Sequence, residues 1–149
     1  MRQLWFILFL GLAAGSWAQD AVPEESRSRF CAVDIYLDAK GAPLAAYQLE
    51  FAVTNGAAKV VGIEGGDHPA FRDPPFYDPK AMQQERVVVA AFSTEPAARL
   101  PNGRTRVATI HLHGSGGAAL QFELKVGAGG DSDGKRIFVE ASGKERKDQ

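Results

Sequence analysis

Cysteine is nearly missing from this chain: one residue, Cys31, in 149. A single thiol builds no internal disulfide framework, and it leaves no Cys-x-x-Cys pair for redox or zinc chemistry. An excess of positive charge is missing too. Seventeen Lys and Arg stand against eighteen Asp and Glu, which excludes the strongly basic face that nucleic acid requires. No apolar run reaches the roughly 20 residues that a membrane-spanning helix needs. Phosphate-cradling glycine loops and the His-Glu-x-x-His zinc motif are absent. Ser93 and Ser115 lack the glycine setting of a nucleophile elbow. With no motif that carries a catalytic mechanism, the chain reads as a non-enzyme with no cofactor.

What is present begins at the N-terminus. Arg2 precedes an apolar stretch, Leu4 to Leu10, extended by Gly11-Leu-Ala-Ala14, and Ser16-Trp17-Ala18 is a small-x-small cleavage signal. Residues 1–18 therefore read as a signal peptide, with the mature chain starting at Gln19 and no membrane span left after cleavage. Ser28-Arg29-Phe30 before Cys31 is not a lipobox. The expected location is secreted or periplasmic. Cys31 reads as a buried small hydrophobe or, in an oxidising compartment, as an intermolecular link. The remaining chain, about 130 residues, is one domain's worth and can bury a sizeable core. Residues 19–28 are polar and read as a flexible leader, 29–142 as the domain, and 143–149 (GKERKDQ) as a disordered charged tail.

Apolar residues recur at period two, the period of a strand, and not at the 3.6 of a helix. Cys31, Val33, Ile35 and Leu37 share one side of residues 30–37. Tyr47, Leu49, Phe51 and Val53 share one side of 47–53. Ala108, Ile110 and Leu112 oppose Thr109, His111 and His113, and Leu120, Phe122, Leu124 and Val126 oppose Gln121, Glu123 and Lys125. Polar-out, apolar-in alternation marks antiparallel sheet with one wet face. Further strands are expected at 59–64 and at 136–141. A strand at 86–93 (RVVVAAFS) is apolar on both sides and so expected to be central. Gly- and Asn-rich turns separate these segments, for example Asn55-Gly56, Asn102-Gly103 and Asp133-Gly134. The predicted fold is all-β: an antiparallel jelly-roll or Greek-key β-sandwich of about 7–9 strands. Its expected core is Val33, Ile35, Leu37, Leu49, Phe51, Ile110, Leu112, Phe122 and Leu124.

The strand pattern resembles the cohesin-like domains of exported bacterial proteins, the β-sandwich type of the carbohydrate-binding modules. Three pieces carry the resemblance: Val33-Asp-Ile-Tyr-Leu-Asp38 with Gly41-Ala-Pro-Leu-Ala-Ala-Tyr-Gln-Leu-Glu-Phe51; Gly103-Arg-Thr-Arg-Val-Ala-Thr-Ile-His-Leu112; and Gly117-Ala-Ala-Leu-Gln-Phe122 followed by Asp133-Gly134 and Ile137-Phe-Val139. Thr54-Asn55-Gly56 stands where such domains often have an aromatic-Asp-Pro. The resemblance implies noncovalent adhesion. The expected partner is an extracytoplasmic protein first and, by way of the loop aromatics described next, a polysaccharide second; no dockerin-contacting residue is carried over.

Residues 65–85 hold four of the eight prolines. Proline removes a ladder donor, so this stretch reads as a loop, and one long enough to be functional. Its aromatics Phe71, Phe76 and Tyr77 are candidate binding residues, ready to stack on sugar or fill a protein pocket; the alternative is a lid over the core. His111 and His113 project from one strand face and are further binding candidates. Their spacing suits zinc or copper, with His68 a third ligand, but two imidazoles are equally a polar outer face, and no metal is predicted. Asp131-Ser-Asp133-Gly134 with Glu140 resembles part of a calcium loop, yet lacks flanking helices and reads as an Asp-Gly turn.

Overall fold

The computed structural model describes residues 28–146. The expected signal peptide and nearly all of the leader lie outside the described residues. Eight strands run in order: β1 (Ser28–Asp38), β2 (Ala46–Val53), β3 (Ala58–Gly65), β4 (Phe76–Tyr77), β5 (Arg86–Phe92), β6 (Arg104–Ser115), β7 (Phe122–Gly130) and β8 (Glu140–Glu145). Three 3₁₀ turns, Pro69–Phe71, Pro79–Ala81 and Ala97–Arg99, complete them. Among the described residues there is no α-helix, and no helix long and apolar enough to cross a membrane.

The strands form two four-stranded sheets, ordered β3-β6-β1-β8 and β4-β5-β2-β7. The first strand pairs with the last, the second with the seventh, the third with the sixth and the fourth with the fifth, all antiparallel. That is one long hairpin rolled on itself, the jelly roll expected from the sequence. Alternation sets the layers. Val33, Ile35, Leu37, Ile110 and Leu112 from one sheet meet Leu49, Phe51, Val87 and Val89 from the other, all essentially inaccessible to water. Burying each such side chain contributes roughly 1.5–3 kcal/mol, enough to hold the domain together without cross-links. The Tyr47 hydroxyl ties the layers by donating to the Val107 carbonyl oxygen at 3.3 Å. Burial pushes its pKa well up, so it stays a neutral donor.

Four expectations need correction. Phe122 and Leu124 face inward but are only half-buried, because β7 lies at the sheet edge and no described strand pairs beyond it along their stretch. Cys31 is likewise half-buried rather than buried, near the start of β1. The closing strand is Glu140–Glu145 and not 136–141, so residues 143–145, read as tail, are ordered sheet. The sequence EASGKE has no apolar period because it joins β1 by backbone pairing. Its Gly143 instead makes room for the Phe122 ring, which a Cβ there would meet at 2.5 Å. Finally, β5 does lie between two strands, but β4 is only two residues long and nothing described covers the outer side of β5. Val88 and Phe92 are therefore exposed, at 41% and 64%.

Candidate binding face

The proline-rich stretch divides its aromatics between two fates. Pro69 and Pro79 each open a 3₁₀ turn, where a missing N–H costs nothing. His68 Nδ1 caps the first by accepting from Ala70 N at 3.1 Å, and Asp78 Oδ1 caps the second by accepting from Lys80 N at 2.9 Å. The first turn drives Phe71 into the core, 2% exposed, where its ring meets Tyr47 edge-on at 5.2 Å. Phe71 is thus a lid residue and not a surface contact. Tyr77 is partly exposed on β4. Phe76 pairs with Ala90 of β5, points outward and is 69% exposed.

Phe76 meets an aromatic that the sequence reading passed over. Phe92 stacks on it, with ring centroids 6.2 Å apart and planes 9° from parallel. Beside the pair lies a groove of about 490 Å³. Its floor is made of small outward residues on three strands, Ala46 on β2, Ala90 on β5, and Ala128 and Gly130 on β7. Gln48 and Arg136 supply its polar side chains at the surface. Registered strands set this spacing: Ala46 lies opposite both Phe92 and Gly130, and Gln48 opposite both Ala90 and Ala128. The same face turns charged toward the other end, where Glu50 pairs with Arg86. An exposed apolar patch rimmed by charge marks an interaction surface. Its sequence signal was present: β5 is apolar on its outer side as well as its inner, and the neighbouring strands carry alanine or glycine where outward polar residues are usual.

Removing the pair should leave the fold intact. We expect Phe76→Ala with Phe92→Ala to change stability by about 0.5 kcal/mol or less per site, as exposed substitutions do. Phe71→Ala should cost about 3–5 kcal/mol, as loss of a buried ring does. Thermal melts of the two variants beside wild type check this; a large drop for the double variant would make the pair structural.

The opposite sheet has a different outer face, built of paired charge. Asp34 on β1 accepts from Thr109 Oγ1 at 2.7 Å and from Arg146 Nε at 3.0 Å, with Arg106 Nη1 at 3.5 Å. Arg106 also bonds Asp67, and Arg104 lies 3.7 Å over the Tyr36 ring. Burial opposes ionisation of Asp34, but hydrogen bonds from Arg146 and Thr109 and the charges of both arginines outweigh it, holding its pKa below the ordinary 3.8. A depressed carboxylate pKa stabilises the folded state above the unfolded pKa, and that contribution fades as pH falls through the folded value. Asp34→Asn should therefore cost up to about 2 kcal/mol at neutral pH. Its melting curve should converge on that of wild type only below the ordinary carboxylate range. A gap that persists unchanged down to pH 2 would show that the charge is not the cause.

His111 and His113 lie on this charged face. His113 Nε2 meets Ser28 Oγ, and its ring lies tilted by 31° against that of Phe30, with centroids 4.7 Å apart. Glu64 is 3.2 Å from His111 Nε2, within ion-pair range but off the line a hydrogen bond needs. His68 is spent on its cap. Among the described residues no three His, Cys, Asp or Glu side chains converge as a metal site. In the last turn Asp131 Oδ1 accepts from the Asp133 and Lys135 amides at 2.9 and 2.8 Å, and Glu140 pairs with Lys40 instead of turning toward it. The residues of the calcium-like segment are engaged as a turn.

Two packed four-stranded antiparallel sheets define an all-β sandwich of jelly-roll type. No family model and no curated protein matches the sequence. Solved structures match the fold. A chain of the type I cohesin–dockerin complex Coh-OlpA-Doc918 from Clostridium thermocellum superposes with a TM-score of 0.58 at 14% identity, over 74% of this chain and 82% of that one. The seventh ScaB type I cohesin from Pseudobacteroides cellulosolvens gives 0.53 at 11% identity, over 72% and 73%. The fold is that of a cohesin, as the strand pattern implied.

Proposed function

We propose that this is an exported, non-catalytic module that holds a protein partner on the outer face of the β4-β5-β2-β7 sheet. The observation that carries the reading is the stacked, exposed Phe76–Phe92 pair beside a groove floored by alanine and glycine. Such a surface gives up ordered water at little conformational cost, since the strands beneath it are already fixed. Large rings at the centre of a contact are the usual seat of its binding energy. Export is supported by the signal-like residues 1–18. Adhesion is supported by the fold, since one chain of the same fold belongs to a cohesin–dockerin complex.

The polysaccharide reading fits this face less well. A sugar brings many hydroxyls, each costly to bury unpaired, and the groove offers chiefly Gln48 and Arg136 to meet them. Phe71, one of the three aromatics that reading needs, is inside the core.

A photo-reactive phenylalanine analogue placed at position 92, and separately at Tyr36 on the opposite sheet, tests the proposal in the exporting cell. We expect a protein adduct from position 92 and none from 36. An adduct from position 36 alone, or retention on a glycan matrix that Phe92→Ala abolishes, would overturn it.

A further inference from the structure

The groove is chiefly apolar, with Gln48 as its neutral polar side chain, and one wall bears a cation. Arg136 is the charged side chain among the described residues that line it. It is exposed, and it gives one Nη2 bond to the Gly127 carbonyl oxygen at 2.8 Å. No described carboxylate pairs with it, whereas Arg86 on the same sheet is neutralised by Glu50. The residue is held in place as well as left unpaired. Arg136 bridges Gly130 of β7, and Ile137 N donates to the Gly129 carbonyl oxygen at 3.0 Å, so the segment is tied to the sheet that floors the groove.

A partner seated on Phe76 and Phe92 would cover this guanidinium. A cation with five N–H donors and only one engaged is costly to cover unless the partner supplies acceptors. A carboxylate is the acceptor that matches the guanidinium fork best. The partner docks through side chains, because β2 and β5 have no free edge and the edge of β7 beside the groove is taken by Arg136 and Ile137.

We infer that Arg136 is a specificity residue, and that the groove takes a protein segment carrying an aromatic or large aliphatic anchor close in the chain to an Asp or Glu. The anchor lies against the phenylalanine pair and the carboxylate reaches Arg136. A segment with Lys or Arg in that place is rejected by like charge. This rests on the face being the binding surface, as proposed above.

A random-peptide phage library selected on the immobilised whole chain tests it. Peptides selected by wild type should pair an apolar anchor with an acidic residue. Arg136→Gln should remove the acidic preference, and Arg136→Glu should exchange it for Lys or Arg. Each selected acidic peptide should bind Arg136→Glu about tenfold more weakly or worse. Melting temperatures of both variants near that of wild type show the fold is kept. Apolar peptides without acidic residues, or an acidic preference that survives Arg136→Glu, would overturn the inference while leaving the binding face standing. Selected peptides indifferent to Phe76→Ala and Phe92→Ala would overturn the face itself. A concentration-dependent dimer abolished by Phe92→Ala would make the occupant a second copy of this chain and overturn the inference.

Discussion

Phe51→Ala is expected to cost about 3–5 kcal/mol, the range for deleting a fully buried ring. Phe51 lies on β2, an interior strand of its sheet, with no exposed surface, and is among the largest side chains sealed in the core. Its ring stacks on Phe122 at 5.4 Å. Phe122 sits on the edge strand β7 and is half-buried, so the same truncation there should cost distinctly less, although both were expected core residues. Domains of this size are stable by roughly 5–15 kcal/mol, so Phe51→Ala takes about a fifth of the total or more. The melting temperature should fall by roughly 10–20 °C. Chemical denaturation of both variants measures the difference. Equal losses at 51 and 122 would mean that the β7 edge is as well sealed as the centre, against the burial described.

The contrast shows what a linear pattern carries. Alternation tells which side of a strand is apolar, and it assigned Val33, Leu49, Phe51 and Ile110 to the core correctly. It does not tell whether the strand will be central or at an edge, so Phe122 and Leu124 look the same as Phe51 until the sheet order is known. β8 was displaced for a related reason. A strand held by backbone pairing along one side needs no apolar period, and EASGKE has none.

The binding face was half legible. Phe76 was singled out for its place among prolines, which hold its backbone in an extended form. Phe92 was not, because a strand apolar on both sides looks like one buried on both sides. The difference lies in the layer above: no described element packs on the outer face of β5, and Val88 and Phe92 are exposed there. The histidines were attractive as a pair, but a face is judged by what surrounds it. Asp34, Arg104, Arg106 and Arg146 make much of that sheet's outer surface a network of charged and cation–π contacts, beside which the two histidines sit.

Gly66→Ala should be nearly as damaging as the core truncation, through a corner instead of a cavity. A Cβ at Gly66 would stand 2.0 Å from the Arg106 carbonyl oxygen and 2.7 Å from Val107 Cα; at the preceding Gly65 it would stand 2.0 Å from the Arg72 carbonyl oxygen. These neighbours are backbone, so no side chain can swing aside. The Gly66 amide donates to the Phe71 carbonyl oxygen at 2.7 Å, and Asp67 next to it donates its amide to Arg106. The corner therefore fixes where the chain leaves β3, and with it the position from which Phe71 enters the core and Phe76 later emerges on the opposite face. Forced overpacking alone costs on the order of 1–3 kcal/mol, and losing the seat of Phe71 adds to it. The variant should melt well below wild type and, unlike Phe76→Ala with Phe92→Ala, lose stability and partner binding together. Binding lost at an unchanged melting temperature would mean that the corner yields without releasing Phe71, and would detach the lid from the face it is argued to position.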